Sequence, residues 1–357
     1  LTVKKLTTTN KPAIGLLQGH GEPPKTDMSQ AMNQLEQLYN ITTVTGIDTA
    51  GVPANIEALV VINPTESLDG EELLAIDQYI MRGGKAIFAI NRVNTNLQRG
   101  MGRPLTTGVE ELLASYNIPV NADLVRDLSS SQIQVQSRQG VLNVVNNVRY
   151  PYLPQAPNFS DHPVSQGLET VVFPFVSSID TSRSDTTQKL TPLVFSSGKA
   201  GRATGFFNLN PMQEWQESDF TESNIPLGAA IEGKFETAFS TNDTLEAELS
   251  KSPETALVVI GDGDFVVNGS GQQQQALPED NISLFVNAIS WLADDTGLNA
   301  LRTKGITNRP IKQLEDGTKT LLKYLNVLLP IVLVIAVGLF RYQRAKSRRQ
   351  KWIEQGV

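Results

Sequence analysis

The sequence predicts a doubly wound α/β fold with a mostly parallel sheet, a β-richer insertion and one C-terminal transmembrane helix. Segments 58–63 and 256–260 are almost wholly apolar, as strands buried on both faces of a parallel sheet are. Strand-like runs followed by apolar residues at helical spacing open and close residues 13–300. A long apolar segment, Leu321–Phe340, then follows a polar stretch.

The first part of the domain alternates strands and helices with short connections, which is typical of a parallel α/β sheet. Asp69 with Glu72 three residues later forms a capping-box pattern, and Gly83 with Gly84 ends that helix. The predicted elements are strand 13–18, helix 27–39, strands 41–44 and 58–63, helix 69–82 and strand 85–90.

From Ile118 the pattern changes, and residues from about 118 to 226 are interpreted as a β-rich insertion. Ser-Arg-Gln-Gly at 137–140 lies between two strand-like runs, which predicts a β-hairpin. The chain then returns to the sheet. The remaining predicted elements are strands 171–176, 190–195 and 203–208, a returning segment 228–239, strand 256–260 and helix 282–292.

Leu321–Phe340 is long enough to cross a bilayer, since twenty residues of helix rise roughly 30 Å. Pro330 is tolerated in such a helix when neighbouring helices satisfy the carbonyl that it frees. The alternative, a buried core helix, predicts a polar edge along 327–340, and the sequence has none there. We therefore predict a membrane anchor.

A basic tail at 341–357 follows this helix and gives the orientation, because dense Lys/Arg clusters mark the cytoplasmic side. We expect the domain at 13–300 to be extracytoplasmic, with 301–320 as a juxtamembrane segment and 1–12 as a linker from a missing N-terminal part. The cations of the tail are Arg341, Arg344, Lys346, Arg348, Arg349 and Lys351.

Charge and composition exclude several functions. The formal net charge is −7, and the tail is basic, so the rest of the chain is strongly acidic. A nucleic-acid partner is therefore disfavoured, and membrane lipid is the expected partner of the tail. The chain has no cysteine, which excludes disulfides and thiolate nucleophiles. No phosphate-binding loop occurs, so the chain is not itself an ATPase.

His20 and Glu22 follow the first predicted strand, at the edge where open α/β sheets place ligand sites. A histidine and a carboxylate two residues apart suit acid/base chemistry or ligand binding. The alternative is a turn in which glycines supply unusual backbone angles and the side chains bond locally. The sequence leaves both interpretations open.

Asp262 and Asp264 follow another predicted strand in the same way, as candidates for a ligand or partner site. The acidic twelve-residue calcium loop is absent, so a structural Asx-type turn is favoured. The second histidine, His162, lies in a turn-like sequence, and with two histidines a multi-histidine metal site in one copy is excluded. We predict no catalytic residue, metal or cofactor.

Several stretches together resemble the gliding-motility-associated ABC transporter auxiliary family, the GldG type. No single stretch is specific, but their order and spacing cover nearly the whole chain. The stretches are 14–22, 59–64 with the helix and glycine turn of 71–85, 233–235, 260–265, 287–292 and 301–310.

This resemblance implies a subunit of the bacterial inner membrane that works with a multi-span permease and a cytoplasmic ATPase, with its main domain periplasmic. It also implies a fold similar to class I glutamine amidotransferases. Those enzymes use a cysteine nucleophile that this chain lacks, so we expect no enzymatic activity.

The alternatives are a membrane-anchored envelope hydrolase using His20, Glu22 or Asp262, and a structural or carbohydrate-binding component of a surface machine.

Overall fold

The computed structural model describes residues 11–139, 142–183, 187–239, 245, 247–271, 274–293 and 316–354. The chain divides into two compact units, Leu1–Thr307 and Asn308–Val357, which are described separately. Most of the predicted linker 1–12, most of the juxtamembrane segment 301–320 and the last three residues of the tail lie outside the described residues.

The first unit is built on an eight-stranded mixed sheet of order β10-β12-β15-β16-β4-β3-β1-β2. The four pairings from β16 to β2 are parallel, and the three from β16 to β10 are antiparallel. The strands of this sheet are β1 (Ala13–Leu17), β2 (Asn40–Val44), β3 (Ile56–Ile62), β4 (Lys85–Ala89), β10 (Asn158–Phe159), β12 (Gln188–Phe195), β15 (Pro226–Gly233) and β16 (Thr255–Ile260).

Helices cover both faces of the parallel strands, so the predicted mixed α/β architecture is confirmed. Alternate residues of β3, such as Leu59 and Val60, enter two separate hydrophobic clusters. Helices α1 and α5 pack in one cluster, and α3 and α4 in the other. The helices are α1 (Ser29–Leu35), α2 (Ile47–Ala50), α3 (Gly70–Met81), α4 (Val109–Ser115) and α5 (Glu279–Leu292).

Helix α3 shows how local sequence fixes an element. Asp69 accepts a hydrogen bond from Glu72 N, and Glu72 accepts one from Asp69 N, both at 2.9 Å. This capping box satisfies backbone donors at the start of the helix, as the sequence predicts. Gly83, with φ of +91°, ends it before β4.

The remaining strands form three small sheets of order β11-β9-β8, β13-β7 and β14-β6-β5. Of the strands in 118–226, β10 and β12 extend the large sheet and β8 with β9 form the predicted hairpin. These strands are β5 (Val93–Asn96), β6 (Met101–Pro104), β7 (Asp123–Asp127), β8 (Ser130–Gln139), β9 (Leu142–Ala156), β11 (Val171–Val172), β13 (Ala200–Thr204) and β14 (Phe207–Asn208).

Three predicted elements are shorter or divided in the structure. Strand 171–176 stops at Val172, because Pro174 has no N–H to donate and Phe175 takes a φ of +60°. Strand 203–208 is divided at Gly205, with φ of +76°. The helix predicted over 27–39 is a short 3-10 turn followed by α1, which ends at Leu35.

In the second unit, α6 (Asp316–Glu354) is one continuous helix that passes through Pro330. Its segment Leu321–Arg344 is the one helix in the described part of the chain that is long and apolar enough to cross a membrane. None of the most apolar stretch of this segment is buried by other parts of the chain. A helix that is apolar all round and uncovered needs an apolar surrounding.

Candidate functional site

The predicted site residues lie at the carboxyl edge of the parallel strands. In the order β2-β1-β3-β4, the chain goes from β1 to β2 on one side and then crosses to β3 on the other side of β1. The sheet therefore has a topological switch point at β1. Open α/β sheets bind ligands outside the carboxyl ends of strands at such a point. Gly19 to Glu22 follow β1, and Asp262 and Asp264 follow β16.

His20 lies between two carboxylates. Its Nδ1 is 3.2 Å from Glu22 Oε1, and its Nε2 is 2.8 Å from Glu72 Oε1. The other oxygen of Glu22 accepts from the backbone N–H groups of Gly19 and His20, at 3.0 and 2.7 Å. Both ring nitrogens and both Glu22 oxygens are thereby engaged, by the turn itself and by Glu72 of α3.

The electrostatics of this group favour a protonated imidazole. Burial lowers the pKa of His20, but the hydrogen bond to Glu72 and the charges of both glutamates outweigh it, so the pKa is raised above 6.5. An imidazolium between two carboxylates is stable as an ion cluster. With both nitrogens held by carboxylates, His20 cannot take a proton from a substrate or ligate a metal until one of these contacts breaks.

The turn around His20 is fixed to the turn after β3. Thr65 N and Glu66 N both donate to the carbonyl of His20, at 2.8 and 2.9 Å. Gly21 has a φ of +80°, and a Cβ there would lie 2.0 Å from Thr65 Oγ1. Only glycine fits this position, as the local-turn interpretation expects.

Asp264 is held by two asparagines that follow neighbouring strands. Asn63 Nδ2 donates to Oδ1 and Asn91 Nδ2 donates to Oδ2, each at 2.7 Å. Asn91 also donates to Asn63 Oδ1 at 3.0 Å and accepts from Gly263 N at 2.7 Å. Burial raises the pKa of Asp264, and the bond from Asn91 opposes part of that rise.

Asp262 is fully buried beside this group. Its Oδ1 accepts from Asp264 N at 2.7 Å, which is the Asx turn that the sequence favours. Its Oδ2 has no hydrogen-bond partner in the described part of the chain. Burial first, and the nearby Asp264 charge second, raise the pKa of Asp262 well above its ordinary value. Burial therefore favours the protonated form of this side chain more than it would be favoured in an exposed aspartate.

The two groups do not form one cleft. Strands β3 and β4 separate β1 from β16, and three strand spacings amount to about 14 Å. The turn after β3 joins them, since Asn63 bonds to Asp264 while Thr65 bonds to His20. The result is a continuous hydrogen-bonded rim along the sheet edge, and a catalytic constellation of His20, Glu22 and Asp262 is not assembled in it.

Three members of this rim were not predicted as site residues: Asn63, Asn91 and Glu72. Asn63 directly follows the apolar strand β3, and Asn91 follows β4 after Ile90. A polar residue after each of several parallel strands is a signal that could have found them. Glu72 was assigned to capping alone, and its second oxygen reaches a histidine 52 residues away.

His162 lies elsewhere and differs from His20. Its ring packs edge-on against Trp291 at 4.9 Å between centroids, and its Nδ1 accepts from Val164 N. Burial, with a smaller contribution from Lys189, lowers the pKa of His162 to about 4. Among the described residues, no group of three or more His, Asp or Glu side chains is arranged to hold a metal ion.

The predicted anchor and tail lie in α6. Leu321 and Phe340 are exposed, at 65% and 61% of their surface. The helix continues past Phe340 to Glu354, so the tail is helical along most of its length. The Arg344 guanidinium lies 5.4 Å from the centre of the Phe340 ring. The same helix holds the other cations of the tail, Arg341, Lys346, Arg348, Arg349 and Lys351.

Comparison with known proteins identifies a family, and the matching solved structures include two distant ones. The profile of a family described as "ABC-type uncharacterized transport system" matches residues 11–291. No curated protein sequence matches the chain. The solved structure titled "mmIFT52 N-terminal domain" is 14% identical, with a TM-score of 0.47, and the match covers 79% of this chain and 98% of that one.

A second solved structure, titled "Structure of PurLQS from Thermotoga maritima", is 8% identical with a TM-score of 0.36. That match covers 79% of this chain and 100% of the other. At these scores neither structure supports an argument about fold or function. The expected likeness to class I glutamine amidotransferases therefore stays a prediction.

Proposed function

This chain belongs to the family of ABC-type uncharacterized transport system auxiliary proteins, and on that premise we propose that it is a non-enzymatic, membrane-anchored subunit of such a system. The family match over residues 11–291 is the observation that supports this function most directly. The proposed partners are a multi-span permease and a cytoplasmic ATPase. The proposed location is the bacterial inner membrane, with the first unit extracytoplasmic.

The anchor is α6. Its apolar segment Leu321–Arg344 spans about 36 Å at 1.5 Å per residue, which exceeds the hydrocarbon core of a bilayer. The basic residues that follow Phe340 favour a cytoplasmic C-terminus. In this arrangement the helical tail extends from the bilayer toward the side on which an ATPase subunit would lie.

A non-enzymatic role is supported by the chemistry of the carboxyl edge. Both nitrogens of His20 are engaged by carboxylates, and Asp262 is fully buried. The hydrolase alternative needs these groups in one cleft, and they belong to separate parts of the rim. The rim instead links the segments after β1, β3, β4 and β16 by hydrogen bonds, which suits a surface that a partner or substrate recognises.

We further propose that the subunit is of the gliding-motility-associated type. The support is the ordered set of stretches that resemble that type, including 14–22 and 260–265. Binding at the extracytoplasmic unit would act on transport by favouring one permease state, which requires different contacts in the two states.

The test is affinity purification of the full chain from its native membrane in mild detergent, followed by mass spectrometry. We expect a permease and an ATPase in fixed ratio. A matched variant carries an unrelated apolar segment in place of 321–344, and its recovery of the permease would show that the extracytoplasmic unit makes the contact. Recovery of this chain alone, or of envelope polymer and its enzymes, would contradict the proposed function.

A further inference from the structure

The small sheet β5-β6-β14 and its adjoining turns carry an unusual exposed surface. Among the described residues of the first unit, seven large apolar side chains are exposed, and four of the seven lie here. Globular domains seldom leave such side chains uncovered in one place without an interaction to make. They are Leu97 at 45% exposure, Met101 at 41%, Phe206 at 73% and Met212 at 61%.

The register of the sheet explains why these side chains face outward. On the inner face, a Cβ at Gly102 would lie 2.8 Å from Val93 Cγ1 and 3.0 Å from Phe207 Cβ. Val93 and Phe207 are buried in a cluster with Tyr150. Because strand residues alternate between faces, Met101 and Arg103, on either side of Gly102, point away from this cluster.

The exposed residues lie on one continuous stretch of surface. Phe207 pairs with Gly102 and Asn208 with Met101, so Phe206 lies next to the same strand. Leu209 N donates to the carbonyl of Gly100 at 2.9 Å, which brings the segment leading to Met212 against the hairpin tip. Packing of the inner face on a buried cluster makes this a fixed platform.

The charge of this surface is opposite to that of the rest of the unit. Arg99 and Arg103 are exposed, and neither guanidinium has an ion-pair partner in the described part of the chain. No Asp or Glu occurs in 93–107 or in 204–213. The chain carries a formal charge of −7 despite its basic tail. This local positive charge therefore stands out in an acidic unit.

We propose that this surface, the hairpin patch of Leu97, Arg99, Met101, Arg103, Phe206 and Met212, docks on anionic lipid headgroups of the bilayer that α6 enters. Exposed apolar and aromatic side chains next to unpaired arginines are the combination that binds the interface of anionic membranes. The two units share one chain, so the first unit is tethered to the bilayer that α6 is proposed to enter. The inference rests on the membrane anchoring in the proposed function.

The test uses the full chain in nanodiscs of brominated phosphatidylcholine, with or without brominated phosphatidylglycerol. The chain has no cysteine, so a single Gln98→Cys substitution places an environment-sensitive dye at the exposed hairpin tip. The control places it at Gln34→Cys, exposed on α1. We expect bromine quenching at position 98 to exceed that at 34 by about twofold or more, chiefly with phosphatidylglycerol present.

Two variants separate the apolar and electrostatic parts of the contact. Phe206→Ser with Met101→Ser should remove the quenching at position 98 in both lipids. Arg99→Glu with Arg103→Glu should remove only the part that depends on phosphatidylglycerol. All four side chains are exposed, so these variants are expected to fold, and unchanged tryptophan fluorescence would verify it.

Equal quenching at positions 98 and 34, or quenching that neither variant changes, would overturn the docking proposal. Protection of the dye only when a permease is present would overturn it too, and would make the patch a protein interface. Failure of the chain to co-purify with nanodiscs would contradict the anchor and hence the proposed function. Association with the nanodiscs is measured separately from dye quenching, so a failure of the anchor is distinguishable from a failure of the docking proposal.

Discussion

The two ends of the parallel sheet bury acidic side chains in opposite ways. Near the amino end, Asp77 of α3 accepts four hydrogen bonds, two on each carboxylate oxygen. At the carboxyl end, Asp262 is equally buried, but one of its oxygens has no partner in the described chain. The donors to Asp77 are Gln78, Tyr116, Thr237 and Ala238, at 2.6 to 2.9 Å.

This difference shows how one residue type acquires two roles. The network at Asp77 joins α3 to the end of α4 and to the segment after β15, so it holds the fold together. The rim at the carboxyl end contains titrating groups with shifted pKa values, namely His20, Asp262 and Asp264. Shifted pKa values occur in structural networks as well, since burial and Asp77 raise the pKa of Tyr116. The carboxyl edge stays the candidate site because open α/β sheets bind ligands there.

Asp77→Ala should have the largest effect, because it leaves four donors without their acceptor. We expect the free energy of unfolding to fall by about 4 kcal/mol. Denaturant unfolding of the full chain in detergent, followed by tryptophan fluorescence, measures it. Glu71→Ala, exposed on the same helix, should cost no more than about 0.5 kcal/mol. Similar losses of unfolding free energy in the two variants would contradict a structural role for the Asp77 network.

Asn91→Ala should be the most damaging change in the rim. It removes the bonds to Asp264 and Asn63 and the acceptor of Gly263 N, so we expect a loss of about 2 kcal/mol in the same unfolding experiment. Asn94→Ala, at an exposed position of β5, is the matched control. A loss as large as that of Asp77→Ala would mean that both ends are structural networks of equal weight.

Asp262→Asn should change the pH dependence of stability more than stability itself. Since the pKa of Asp262 is raised in the folded state, the folded chain binds this proton more tightly than the unfolded chain. Its contribution is present at acid pH and is lost as the pH rises above about 4 toward the raised pKa. Asn keeps the acceptor for Asp264 N and cannot ionise.

We therefore expect the stability of Asp262→Asn, relative to the unchanged chain, to increase with pH, and to lie within about 1 kcal/mol of it at acid pH. Unfolding curves at a series of pH values test this. Asp123 and Asp127 also have raised pKa values, but they are common to both proteins and cancel in the difference. Asp264 is coupled to Asp262, so any change in its pKa is part of the measured effect. If the stabilities of the two proteins changed with pH in parallel, the raised pKa assigned to Asp262 would be contradicted.

Protonation of the two histidines should change the stability of the fold least, and the two changes should have opposite signs. Ring NMR signals of the full chain, bearing a tag without histidine, should show His20 titrating above 6.5 and His162 at about 4. His20→Gln assigns the signals. His20 should stabilise the fold below its unfolded pKa and lose that contribution as the pH rises through its folded pKa. His162 should instead lower the stability of the fold as the pH falls from 6.5 to about 4. If His162 titrated at a higher pH than His20, the environments described for both histidines would be wrong.

The parallel strands were predictable from sequence because their signal is local. Strands β3, β4 and β16 are apolar along most of their length, since both faces of each strand are largely buried. The observed bounds differ from the predicted ones by at most two residues at each end. The capping box of α3 was also predictable, because its two side chains lie three residues apart.

The site was only partly predictable. His20, Glu22, Asp262 and Asp264 were found because each lies in a glycine-bearing turn after an apolar strand. Their partners were not, because hydrogen bonds such as Asn91 to Asp264 join residues 173 positions apart. Sequence spacing has no information about which distant turns share a sheet edge.

The sequence by itself determined which segments are strands, which helix is apolar all round, and which turns need glycine, since these follow from periodicity, hydrophobicity and backbone sterics within a few residues. The tertiary structure decided which polar groups meet: Asp77 with Thr237, and His20 with Glu72. It also set the opposite pKa shifts of two chemically identical histidines. The reason is physical: propensity acts along the chain, whereas burial and charge act between parts that only folding brings together.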